Sequence, residues 1–338
     1  GYSALNALTT GGQNTAVGHN AGIKNVTGSQ NTYLGYNAGW GVSGQSAANN
    51  IGIGAYALNL IRTGADNVVI GLNAMSDLNS GNNAGASSQN VVIGNQAGAG
   101  AWANTQTDGI VAIGYQAMDG ALDNVDGTVA IGSGALGALT SGARNTAIGY
   151  QSMLTATLAV NNTAIGYQSL SAIVGDDGNN AGAYNTAIGT YAMKSVNAGT
   201  HSDARSDSNI AIGYNALLGG TFGSDSKVLT GNIAIGHEAL DATSTNAQTG
   251  TIAIGHQALT ALTSGAGNVA IGYQSLDATT TGASNTMVGY QTGTALPAGG
   301  DGNTAVGYQA LLGGNHDNTH ENTVIGYQTG QQISTGFN

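Results

Sequence analysis

Seventeen times along this chain, Ile, Val or Leu stands immediately before a glycine, and Thr, Val or Ile stands two residues before that. The residue between them is mostly small, usually Ala. Indexed by the glycine, the copies fall at Gly18, Gly35, Gly54, Gly71, Gly94, Gly114, Gly132, Gly149, Gly166, Gly189, Gly213, Gly236, Gly255, Gly272, Gly289, Gly307 and Gly326. Gly1 of GYSAL fits as a further copy, cut in half. β-branched residues at alternate positions over a short run predict a strand of about five residues, not a helix. The glycine predicts a bend or a close backbone approach. A second short apolar pair, typically Ala-Leu, follows it. No segment sustains a 3.6-residue period over the ten or so residues a helix needs.

The other columns repeat with the glycine. Asn lies four residues before it in 14 copies, and Ala, Ser or Thr always lies three after it. Four after it stands Leu or Met in 12 copies and Gly in the other five. Intervals between copies run from 17 to 24 residues. One strand-bend-strand unit of that length cannot bury its own apolar face, whereas stacked copies cover one another. The chain therefore reads as all-β: a parallel β-solenoid of about 17–18 coils of 17–24 residues, continuous over 1–338. NTAIGYQSM at 145–153 and NTAIGYQSL at 162–170 are then the buried walls of two coils, and the dissimilar stretch between them is an outward arm. The Asn column and a Gln/Asn column two after the glycine (Gln151, Gln168, Gln274) are expected to stack as amide ladders.

Composition narrows the functional classes. Only 7% of residues are charged and 57 are glycine, a bias that alone would suggest disorder. The β-branched residues recurring at set positions argue instead for an ordered, repetitive polymer. The net charge of −11 opposes a nucleic-acid-binding face, which needs clustered Lys and Arg. Zero cysteines remove disulfides, thiol catalysis and cysteine metal sites together. No apolar run approaches a membrane span, so no membrane insertion is expected. Both ends stop inside a repeat, so the chain reads as a piece of a longer fibre.

NTAIGYQSL, NVAIGYQSL and TVAIGSGAL resemble the head repeats of YadA-like trimeric autotransporter adhesins, and more closely the NTAIGYQAL-type repeats of phage and bacterial tail-fibre proteins. The resemblance covers the whole chain. It implies a left-handed β-roll, a homotrimer, and an extracellular place on a cell surface or virion, serving attachment. The adhesin head repeat is shorter and favours Ser-Val where this chain often has Asn-Thr.

Candidate chemistry is sparse. GSGALG at 132–137 matches the dinucleotide pattern GxGxxG, but no helix or acidic partner follows, and its first glycine is the repeat glycine. His316 and His320, with Asp317 and Glu321, have a metal-binding spacing for a helix yet fall in an arm, which favours a solvated loop. DDGNN at 176–180 lacks the alternating ligands of a calcium loop. No nucleophile–base–acid set occurs, so neither catalysis nor a cofactor or metal is expected. Tyr follows the glycine in nine copies and His in three, a row that could stack structurally or bind sugar. A Thr column (Thr15, Thr32, Thr146, Thr163) interchanges with Val and Ile, which fits a semi-buried wall better than an ice-binding array.

Recognition, if any, is expected in the longest arms, since variable loops on a rigid scaffold are where binding concentrates. The candidate receptor contacts are Asp176, Asp177, His201, Arg205, Phe222 and Lys227. The expected partners are further copies of the chain and a cell-surface glycan or protein. The competing expectation is a monomeric solenoid that binds glycan or ice along one flat face.

Overall fold

The computed structural model describes residues 1–78, 84–102, 105–173, 182–196, 205–219, 228–243, 247–294, 296, 298–312 and 320–331. They form two compact units, Gly1–Asn162 and Thr163–Asn338. Both are parallel β-solenoid, and no helix among the described residues is long and apolar enough to cross a membrane.

Unit 1 carries eight strands: β1 (Thr15–Val17), β2 (Thr32–Leu34), β3 (Ile51–Ile53), β4 (Val68–Ile70), β5 (Val91–Ile93), β6 (Val111–Ile113), β7 (Val129–Ile131) and β8 (Thr146–Ile148). Each pairs in parallel with the next, and the register never slips: Thr15 faces Thr32, Val68 faces Val91, Ile131 faces Ile148. Unit 2 repeats the wall with β9 (Thr163–Ile165), β10 (Thr186–Ile188), β12 (Ile210–Ile212), β14 (Ile233–Ile235), β16 (Ile252–Ile254), β17 (Val269–Ile271), β18 (Thr286–Val288), β19 (Thr304–Val306) and β20 (Thr323–Ile325). Three more strands, β11 (Arg205–Asp207), β13 (Val228–Thr230) and β15 (Gln248–Thr249), make a separate parallel sheet.

Two features differ from the pattern-based expectation. The wall strands are three residues long, not five. The Ala-Leu pair after the glycine is a tight corner, not a second strand. Gln116 and Met118 both sit at a left-handed φ of 52°, as do Gln151 and Met153. Bulky residues rarely adopt this conformation. Here a neighbouring coil takes up the corner N–H groups: Gln116 N–H donates to Asn95 O of the preceding coil at 3.1 Å, and Met118 N–H to Ala135 O of the following coil at 3.0 Å.

The alternation along the strand decides which face points inward. Ala147, Ala130 and Ala112 are completely buried, whereas the β-branched residues on either side of them are half-buried or exposed. The coil is thin, so a small side chain is the usual occupant where the strand crosses its interior. The wall between Asn and Gly is thus buried at its alanine and half-buried or exposed at its Ile, Val and Thr, as a semi-buried wall requires.

The core is completed by Leu or Met four after the glycine (Leu58, Met153, Leu259) and by a further column seven or eight after it. That column holds Ile61, Leu78, Trp102, Leu122 and Leu139 in unit 1, all within 2% of full burial.

Two devices hold coil to coil. The repeat glycine has both reasons to be glycine. Gly272 lies at φ 138°, and a Cβ there would stand 2.1 Å from Gly289 O. The buried Asn column forms the expected ladder. Asn209 Nδ2 donates to Asn185 Oδ1 at 3.1 Å and to Leu229 O at 2.7 Å, and Asn232 repeats the motif on Asn209 at 3.0 Å. These buried amides thus bond to the coil before and to the coil after, which removes the cost of burying them.

Candidate functional site

The outward side of the wall strands is a surface of aligned columns. In unit 2, Ile165, Ile212, Ile271 and Val306 are each more than a third exposed although apolar. The Thr/Val/Ile column two residues earlier flanks them. Within this surface no coil carries a charge between three before the glycine and four after it, Glu238 excepted.

Beside these columns runs the aromatic row. From Tyr214 through His237, His256, Tyr273, Tyr290 and Tyr308 to Tyr327, ring centroids stand 4.9–5.2 Å apart and planes lie within 24° of parallel. Strand spacing imposes that separation. In unit 1, Tyr2, His19 and Tyr36 stack the same way. A stacked row covers its own ring faces and offers edges and hydroxyls, whereas sugar stacking needs faces. Where the tyrosine shifts one residue later, at Tyr56 and Tyr191, the ring turns edge-on to its neighbour, and the Tyr191 face carries Lys194 Nζ at 4.2 Å.

Next to the rings lies the second amide ladder. Gln257 donates to Glu238 Oε2 at 2.9 Å, and Gln274, Gln291, Gln309 and Gln328 each donate to the preceding Gln Oε1 at 2.9–3.0 Å. Glu238 also approaches His237 Nδ1 at 3.6 Å. Burial raises the pKa of nearby Asp241, the Glu238 charge adds to that rise, and His237 opposes it.

The arms supply the other candidate surface. Of the receptor candidates, Asp176, Asp177, His201, Phe222 and Lys227 lie outside the described residues, as do His316 and the DDGNN segment. Arg205 is described: it is exposed and opens β11. Arg205 faces Val228 and Leu229 faces Gln248, so three consecutive arms return to the coil side by side. Sequence reasoning missed this sheet, because RSD, VLT and QT share no pattern. Burial raises the pKa of Asp207, and the Arg205 charge and the Thr230 hydroxyl (3.5 Å) counter it.

The remaining motifs resolve as local structure. GSGALG at 132–137 is a corner with no helix after it, and Gly132 abuts Gly149 O as other repeat glycines do. His320 Nδ1 accepts a hydrogen bond from Asp301 N–H at 3.2 Å. Comparison of the chain with protein-family models, with characterised proteins and with solved structures found no match.

Proposed function

We propose that this chain is a structural, non-catalytic segment of an extracellular homotrimeric fibre, a phage tail fibre or a cell-surface adhesin, that displays its arms for attachment. The observation that carries the reading is the outward column of Ile, Val and Leu, half-buried in most coils and more than a third exposed at Ile165, Ile212, Ile271 and Val306, yet uncharged and in constant register. A contiguous exposed apolar surface marks an interaction site. Its repeat matches the coil repeat, so the partner best able to cover every coil is another solenoid with the same rise. Copies of this chain meet that condition, and closed rotational symmetry lets each give the same face. The repeat's resemblance to trimeric fibres sets the number at three and the coil as left-handed. The stacked aromatic row, whose ring faces cover one another, favours a structural ladder over a glycan platform. The arms clustered by β11, β13 and β15 are the receptor side of this proposal.

Light scattering of the 33.2 kDa chain tests it. The expected mass is about three chains, and Ile254→Lys with Ile271→Lys should reduce it to one while the β circular-dichroism signal persists, because these side chains point away from the coil interior. A wild-type mass of one chain would overturn the trimer and leave the solenoid standing.

A further inference from the structure

The outer amide ladder is interrupted in unit 1, and the interruption leaves a cavity. Gln116 Nε2 donates to Gln96 Oε1 at 3.4 Å, with the polarity seen in unit 2, where each Gln Oε1 accepts from the following coil. The donor due to Gln116 Oε1 belongs at position 134, which is glycine. Position 137 is glycine too, where the flanking coils carry Asp119 and Leu154. With two side chains missing from one coil, a notch of about 290 Å³ opens, floored by Gly134 and Gly137, with Gln116 and Asp119 on one wall and Leu154 on the other.

The backbone does not require glycine at 134. Gln116 and Gln151 hold the same column at φ 52°, close to the 67° of Gly134. A Cβ at 134 would meet nothing nearer than 3.5 Å, an ordinary contact with Gln151 and Leu154. The gap is therefore not a folding requirement.

Its lining combines acceptors with an apolar wall: Gln116 Oε1 and the Asp119 carboxylate accept, Leu154 and Ala138 are apolar, and Thr155 adds a hydroxyl beside Leu154. Among the described residues no cation pairs with Asp119, and burial raises its pKa. A charge held partly out of water beside an open cavity favours a cationic donor. The flanking coils stand two strand spacings apart, about 9.6 Å, which admits one unbranched chain between them.

We infer that the notch at Gly134 binds a primary alkylammonium group, with its stem along Leu154 and its head between the Asp119 carboxylate and the Gln116 amide oxygen. The group belongs either to a free amine or to a lysine side chain. Titrating the full chain with n-butylammonium and with Nα-acetyl-lysine amide, followed by NMR, tests this. Saturable binding of one or both is expected, with Kd on the order of 1 mM, as suits so few atoms. Tighter binding of Nα-acetyl-lysine amide marks a lysine side chain as the source, and tighter binding of n-butylammonium a free amine. Asp119→Asn should weaken binding at least about tenfold by removing the charge. Gly134→Gln should weaken it as much by refilling the notch, with the circular-dichroism spectrum and thermal midpoint unchanged. No saturable binding of either probe would overturn the inference. So would binding that Gly134→Gln leaves intact, since that is general attraction to a chain of net charge −11.

Discussion

Tyr33 stands in a column that elsewhere holds Ala, Gly, Val or Met, and it fits because three neighbours lack side chains. A Cβ at Gly39 would lie 2.3 Å from the ring, one at Gly22 2.8 Å, and one at Gly52 3.2 Å. The same exchange recurs at Met287, whose sulfur would be 3.0 Å from a Cβ on Gly293, and more loosely at Val92 with Gly98. The glycines four after the repeat glycine thus make room for an oversized strand residue. Both columns were visible in the sequence, but only their volumes taken together reveal the link. Gly39→Leu should clash and Tyr33→Ala should leave a cavity, each costing roughly 3 kcal/mol. The double variant recreates the ordinary Ala-plus-Leu coil, as with Ala130 and Leu136. It should lose at least about 2 kcal/mol less than the sum of the single changes, measured by denaturant unfolding. Additive losses would show that the two sites are not coupled.

Ladders are the unit of cohesion between elements, and their breaks are informative. Thr251 takes the place of Asn between Asn232 and Asn268. Its N–H reaches Asn232 Oδ1 at 3.0 Å, but its buried hydroxyl has no partner. Thr251→Asn should restore donor and acceptor in both directions and stabilise the fold by about 1 kcal/mol. A raised thermal midpoint checks it, and a lowered one would mean that the amide does not fit. The Asn ladder was legible because its spacing is tied to the glycine. The core column of Ile61, Leu78, Trp102 and Leu122 was not, since it sits where the arms begin and its offset wanders by a residue. The sheet of β11, β13 and β15 left no trace either, because its paired segments RSD, VLT and QT share no residue pattern. The left-handed corners at Gln116 and Met118 run against intrinsic preference, and hydrogen bonds from the adjoining coil decide them.

Taken over the whole molecule, acidity is the main electrostatic burden: 17 acids against 6 bases. Burial raises the pKa values of Asp119, Asp207, Asp241 and Asp277 above the ordinary 3.8. Each group binds its proton more tightly folded than unfolded, so acidification from neutral pH stabilises the fold until the unfolded chain also protonates. The penalty is fully present above the folded pKa values. The thermal midpoint should therefore rise as pH falls from neutral toward about 4, where the unfolded carboxylates also protonate, and a fall over that window would contradict the assignment. The solenoid class was legible throughout, because every coil repeats one short pattern. The arms, which repeat nothing, gave no such reading. Constant register has a further consequence for heredity. If β16 can meet β18 as it now meets β17, length changes in this chain are quantised. Excising residues 269–285 joins Asn268 to Thr286 and returns every column to its place, and such a deletion should fold where the loss of a few wall residues would not. Recombination between near-identical stretches of the gene removes or adds such whole blocks, so the repeats make reach an easily inherited variable.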